Sequence, residues 1–342
     1  MTFARAWSAF PGLLLVATLA VGCSTERKPA QAFHPAETKA VAFLVREVPA
    51  WSRDNGCYSC HNNGDAARAL YAAARHGHRI PKLALADTTD WATHPERWEH
   101  NQGDPGFSDQ RLADLQFASA LAASPAGKIS KSQNKLAARK VARGQAPDGS
   151  WPIDTANAVG SPTTYGATLA TYMAWTFLKE VSAPEIIPSV QRAAAKLNTI
   201  PLDSVPDAAV RLKYLADRKA PADANALNFL RRAQTSDGGW GPYADSPPEA
   251  FDTALALLAL SRIRAEADVS MLVGRGREFL FKTQLADGSW PATTRPSGGQ
   301  SYAQQMSTTA WATMALLETR LEGRAHVANP NLRGLTSAAT PR

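Results

Sequence analysis

The chain reads as an all-α protein built from helix pairs, and three observations predict this. Three segments carry Gln, Asp, Gly and Trp at identical offsets: Gln145, Asp148, Gly149, Trp151; Gln234, Asp237, Gly238, Trp240; and Gln284, Asp287, Gly288, Trp290. Each segment lies between two runs whose apolar residues recur at helical spacing. No alternating apolar–polar stretch of useful length marks a strand.

Each element follows from local chemistry. Asp-Gly is turn chemistry, since Asp bonds its own backbone and Gly accepts positive φ. A Gln at the end of one helix and a Trp stacked over it would tie each loop to the next. The Trp spacings are 89 and 50 residues. A degenerate copy near 192–206 would split the longer interval into two helix-pair periods of about 45. The predicted pairs are 34–47 with 63–77, 80–90 with 108–122, 130–144 with 163–178, 184–198 with 206–217, 222–234 with 249–263, and 268–284 with 304–320. The stretch 87–107, rich in Trp, His, Pro and Gly, reads as a long loop.

These segments resemble the QW repeats of the squalene–hopene cyclase and protein prenyltransferase superfamily, over about residues 128–321. The resemblance implies an α/α toroid, with an outer and an inner ring of helices that about six pairs would close. It implies a structural, non-catalytic role for the Gln and Trp residues. The corresponding division is 34–127 as an N-terminal helical region, 128–321 as the repeats and 322–342 as a flexible tail.

The resemblance also frames the chemistry. Cyclases that start by protonation carry Asp-x-Asp-Asp-Thr-Ala at an inner-helix start, with the central Asp as donor. The matching stretch here is Glu249-Ala250-Phe251-Asp252-Thr253-Ala254. A phenyl ring at Phe251 cannot supply a proton. Asp252 and Glu249 are the weak acid candidates, and Asp252 also reads as a first-turn acid that steadies a helix. Prenyltransferases use a zinc held by Asp, Cys and His, and no cysteine follows Cys60. Whether the protein is an enzyme stays open. A cavity for a hydrophobic, isoprenoid-like molecule would be lined by Tyr165, Tyr172, Trp175, Tyr302 and Trp311, which also read as plain core.

The N-terminus reads as an export segment, residues 1–22. Arg5 supplies the positive start, and Phe10 to Val21 an apolar run too short to span a bilayer. It ends Leu19-Ala20-Val21-Gly22-Cys23, which resembles a bacterial lipobox with Ala20 where Leu is usual. The resemblance implies lipidation of Cys23, residues 23–33 as a tether, and an exported protein anchored to a bacterial membrane, facing the periplasm or the cell exterior. A plain secretory signal or an uncleaved anchor are the alternatives.

Of three cysteines, the other two fall in Cys57-Tyr58-Ser59-Cys60-His61. Two thiols separated by two residues reach the two vinyl groups of a haem, and the adjacent imidazole reaches its iron. One covalent haem c is therefore expected on Cys57, Cys60 and His61, with His61 as axial ligand. His100, His94 and Met306 are the candidates for a second axial ligand. A thioredoxin-like pair, half a zinc site and a simple disulfide are the competing readings. The haem is expected at the mouth of the ring, where the first and last repeats meet.

Formal net charge is +7, but the basic residues are scattered and no Lys/Arg block alternates with aromatics. Nucleic acid is therefore not an expected partner. The leading functional expectation is electron transfer or haem-dependent redox chemistry with an unnamed redox partner. The alternative is an enzyme or binding protein for a hydrophobic, isoprenoid-like ligand, with the haem as redox centre or sensor.

Overall fold

A computed structural model describes residues 33–99, 109–125, 130–153, 165–263, 268–292 and 301–320. Among them every regular element is helical. In chain order these are α1 (Pro35–Asn55), a π-helical turn (Cys60–Ala66) running into α2 (Ala67–Arg75), α3 (Ala86–Ala92), α4 (Gln110–Ala123), α5 (Lys131–Arg143) and α6 (Gly166–Val181). There follow α7 (Ile187–Asn198), α8 (Val205–Asp217), α9 (Ala224–Ala233), α10 (Ala250–Leu260), α11 (Val269–Thr283) and α12 (Tyr302–Glu318).

Capping chemistry sets most of the starts. Asp109, Ser204 and Asp223 accept backbone N–H groups of α4, α8 and α9. Ser130 with Gln133, and Ser301 with Gln304, form capping boxes on α5 and α12. Amphipathicity then sorts the helices into two layers. α9 buries only Ala226, Leu227, Leu230 and Ala233, one stripe, whereas every residue of α10 from Ala250 to Leu260 is buried. A helix apolar all round belongs inside, and a striped one lies over it.

The inner layer is the closed succession α2, α4, α6, α8, α10, α12, with α12 packed back on the π-helical turn and α2. Outside it, α5 lies across α4 and α6, α7 on α6, α9 on α8, α11 on α10, and α1 across α12 and α2. This is an α/α toroid, and residues on both sides of position 128 build it.

The three Gln–Trp loops act as clasps, and their bonds repeat. The indole N–H of Trp151, Trp240 and Trp290 donates to the carbonyl ten residues back, on Val141, Leu230 and Leu280, at 2.7–2.8 Å. Their backbone N–H groups donate to Thr171, Thr253 and Thr309 on the following inner helix. Gln145 and Gln234 each donate to a carbonyl of the next outer segment, Ser189 and Leu272. Gln284 donates to Ala36 O at 2.9 Å, so the third clasp reaches back to α1 and shuts the outer ring. Gly288, at φ 97°, sits so close to α1 that an added Cβ would collide with the Lys39 carbonyl. Beside this seam buried Glu37 pairs with Arg320 at 2.7 Å and Arg277 at 3.4 Å.

The structure departs from the sequence reading in three places. The first helix does not end before Pro49 but runs to Asn55, so Trp51 is helical. The missing Pro49 N–H is tolerated because Val48 and the preceding turns are pinned in the core. The stretch from 87 to 99 is not open loop: it holds α3 and a short turn, Pro95–Arg97. Trp91 and Trp98 there are fully buried, each 5.6 Å from the ring of Phe117 on α4. The junction near 192–206 carries no Gln–Trp clasp. Arg211 and Tyr214 of α8 take its place, bonding Asn198 O at 2.6 Å and Ala194 O at 3.1 Å. The expected export segment, Cys23, His100 and residues 322–342, expected as a tail, lie outside the described residues. Among the described residues no helix is long and apolar enough to cross a membrane.

Candidate functional site

Gly56, in the left-handed region at φ 64°, ends α1 and turns the chain into the Cys57–His61 segment. The hydroxyl of Ser59 accepts from the His61 and Asn62 backbone N–H groups and starts the π-helical turn. Asn63 holds that turn down: its Oδ1 accepts from Ser59 N, and its amide donates to Thr88 Oγ1 at 2.8 Å. Asn62 donates to Glu47 O and to Tyr302 on α12. Gly64 lets α4 approach, because a Cβ there would lie 2.8 Å from Gln116 Cβ.

Cys57 is half-buried, Cys60 and His61 are buried, and the π-helical turn that begins at Cys60 packs on α12 and α4, of the last repeat and the second. His61 Nδ1 is 3.0 Å from Ser307 Oγ. Ser307 in turn donates to Asp65 Oδ2 at 2.9 Å. Since the hydroxyl proton is committed to Asp65, the imidazole is the donor to Ser307. The neutral ring then carries its proton on Nδ1 and its lone pair on Nε2. Burial pushes the Cys60 thiol well up, with the Asp65 charge adding to it, so the folded site does not activate this sulfur.

Asp65 is the node of this region and was not among the candidate residues. It is fully buried. Its Oδ2 accepts from Gln116 (2.8 Å), Ser307 and Trp311 (3.1 Å), and its Oδ1 from Tyr165 (3.3 Å), while Arg68 lies 4.0 Å away. Burial pushes its carboxyl up, and Arg68 with the three donors on Oδ2 pulls it back down. The available signal was an acid in the alanine-rich run after His61, together with Ser307, Thr308 and Thr309 inside a helix that is otherwise core.

The other candidate residues fall as follows. Met306 is fully buried on α12, but its neighbour Ser307 is the residue that meets His61; adjacent helical positions point in different directions. His94, just past the end of α3, has Nδ1 2.6 Å from Asp90 O of that helix. Phe251 is buried against Tyr165 and Trp311, with ring centres 6.1 and 5.7 Å away. Asp252 lies in the first turn of α10, as the helix-steadying reading expects, and is fully buried; Glu249 occupies the N-cap position without a side-chain cap bond, and its backbone N–H donates to Trp240 O. No group of three metal-ligating side chains occurs among the described residues.

Next to the Asp65 node, a cavity of about 250 Å³ opens within the inner ring. Arg68, Tyr172, Met173, Phe177, Lys213 and Trp311 line it. Of the aromatics expected there, Tyr172 and Trp311 take part. Tyr165 bonds Asp65, Trp175 packs on Tyr214, and Tyr302, at the start of α12, does not line the cavity but stacks 5.8 Å from Trp51. Trp311 belongs to both sites: its ring lines the cavity while its N–H reaches Asp65.

Residues 208–333 match the squalene-hopene cyclase C-terminal domain. Over 110 residues the chain is 32% identical to lanosterol synthase erg7A of Aspergillus fumigatus, a segment that is 31% of this chain and 14% of that protein's length. Among solved structures, the type II terpene cyclase MstE from Scytonema superposes with a TM-score of 0.52 at 15% identity, over 83% of this chain and 96% of that one. A variant of that cyclase in complex with geranylgeranyl dihydroxybenzoate superposes equally well, with the same TM-score, identity and coverage. A protein from Actinoplanes superposes with a TM-score of 0.57 at 15% identity, over 83% and 98% of the two chains. The chain thus has the α/α toroid of the terpene cyclases, and its C-terminal repeats are similar in sequence to the squalene-hopene cyclase domain.

Proposed function

We propose that this toroid holds a hydrophobic, isoprenoid-like molecule in its inner-ring cavity, and that Cys57, Cys60 and His61 carry one c-type haem as the associated redox centre or sensor. The observation that carries the reading is the cavity itself: a concave site walled by Tyr172, Met173, Phe177 and Trp311 in the middle of a terpene-cyclase-like ring. The complex of the Scytonema cyclase with a geranylgeranyl compound supports that ligand class.

The donor set of the Cys57–His61 segment fits a haem c. A metal-bound imidazole usually donates its other ring N–H to an oxygen, which fixes its orientation. Here Ser307, itself anchored on Asp65, receives Nδ1–H and leaves Nε2 as the ligating nitrogen. When bound, the haem supplies one-electron redox chemistry. Ser307 and Asp65 orient the imidazole, and Trp311 ties that same carboxylate to the cavity wall. Electron transfer through the haem alone, without a ligand, is the second reading, and the same imidazole arrangement favours it. The sequence supports export and anchoring through a lipid on Cys23.

Three measurements test this. Titrating the holoprotein with farnesol by calorimetry should give saturable binding at micromolar concentrations; no heat up to the solubility limit would remove the ligand reading. Protein made with c-type maturation machinery should keep a haem-stained band on a denaturing gel after acid–acetone extraction, and Cys60→Ser should lose most of it. An unstained band beside a stained control cytochrome would remove the haem. Incubation with squalene should give no cyclic product, since Phe251 occupies the donor position; a product on gas chromatography would point to another acid.

A further inference from the structure

The cavity is not merely apolar. Two cations face it, Arg68 from α2 and Lys213 from α8. Arg68 lies with its guanidinium carbon 4.5 Å over the Trp311 ring. Its Nη1 is buried and has no hydrogen-bond partner among the described residues; the 4.0 Å to Asp65 Oδ1 is too long for one. A guanidinium nitrogen kept dry and unpaired costs free energy unless something else meets it.

Lys213 Nζ lies 5.4 Å from the centre of the Tyr172 ring and forms no ion pair among the described residues. Asp217, one turn on, is already engaged by Arg262 at 2.6 Å and by the Tyr172 hydroxyl at 2.6 Å. Desolvation and the nearby Arg262 charge push the Lys213 ammonium down to about 8. The one acid lining the cavity, Glu180, is exposed at its rim. The carbonyl ends of α4, α6 and α8 offset part of this positive charge, so recognition of a ligand falls on direct contacts with the two cations.

Building on the proposed ligand reading, we infer that the cavity selects an amphiphile with an acidic head, a carboxylate or a phosphate, bound between Arg68 and Lys213, with its apolar chain against Met173, Phe177 and Trp311. A planar guanidinium matches either head by paired N–H···O bonds, and the ammonium adds a point charge. At about 250 Å³ the cavity is smaller than those that enclose drug-sized ligands, so it suits the head end of a prenyl chain better than a whole triterpene.

The test compares three probes of one chain length on the full holoprotein by calorimetry: farnesoic acid, farnesyl phosphate and farnesol. At least one acidic probe should bind ~10-fold or more tighter than the alcohol, as charge-assisted hydrogen bonds require. Whichever acid leads identifies the head. Lys213→Met and Arg68→Met should each bring the acid-to-alcohol affinity ratio close to unity, and Lys213→Arg should restore it. Melting curves of the same samples separate lost selectivity from lost fold, and Lys213→Met, which breaks no ion pair, is the cleaner variant. Equal binding of acid and alcohol would overturn the acidic-head inference and leave the hydrophobic-ligand reading standing. Failure of all three probes to bind would overturn both.

Discussion

Replacing Asp65 by alanine is expected to destabilise the folded protein by about 3–5 kcal/mol, the cost of removing one member of a buried charged cluster. The change strands the hydrogen-bonding groups of Gln116, Ser307, Trp311 and Tyr165, and leaves Arg68 with no carboxylate nearby. Those partners come from α4, α12 and the start of α6, so the loss loosens the first repeat from the second, third and last at once. Domains of this kind are stable by only ~5–15 kcal/mol, so the variant should melt far below the parent. Asp65→Asn keeps the volume and one acceptor oxygen but turns an NH2 toward donors, and should cost less than alanine.

The asparagine variant also tests the pH response. Burial, the largest influence on this carboxyl, raises its folded pKa above the unfolded value of ~3.9. The folded state then binds the proton more tightly than the unfolded one. The contribution of this group to stability is full below the unfolded pKa and is lost as pH rises toward the raised folded value. Urea midpoints measured from pH 3 upward should fall more steeply in the parent than in Asp65→Asn. A difference of less than about 1 kcal/mol between parent and Asp65→Ala would mean that the node does not hold the ring together.

Trp290→Ala should cost about 3–5 kcal/mol, as expected for removing a fully buried aromatic side chain. It also strands the Leu280 carbonyl that accepts the indole N–H. Gly288→Ala tests the same clasp without removing apolar surface. Alanine at φ 97° is strained, and its methyl group would drive against the Lys39 carbonyl, so about 2–3 kcal/mol is expected. Gly149→Ala makes the equivalent change at an internal junction, against Arg192 on α7. The two should differ in where they open the protein. Hydrogen exchange should rise in α1 for Gly288→Ala and in α7 for Gly149→Ala. Unchanged exchange in α1 would mean that the third clasp is not what closes the outer ring.

The sequence determined by itself the fold class and the three clasps, because each rests on short-range chemistry. A turn needs Asp-Gly, an amphipathic run shows its period within a dozen residues, and Gln and Trp at fixed offsets serve a local purpose. Short-range rules also produced the misreadings: the first helix read as ending at 47, and Trp91 and Trp98 read as loop, because packing that overrides a local preference leaves no local trace. Tertiary structure alone decided what surrounds those elements. Ser307 and Asp65 are 242 residues apart in the chain, and His61 and Ser307 are 246 apart. Ring closure is what sets them 3 Å from each other. Which residues of an inner helix face the cavity is likewise unreadable from a helix such as α10, buried on every side. For that reason Asp65, Arg68 and Lys213, ordinary charges in the sequence, become an anchor and a pair of cations facing one cavity only once six inner helices surround them.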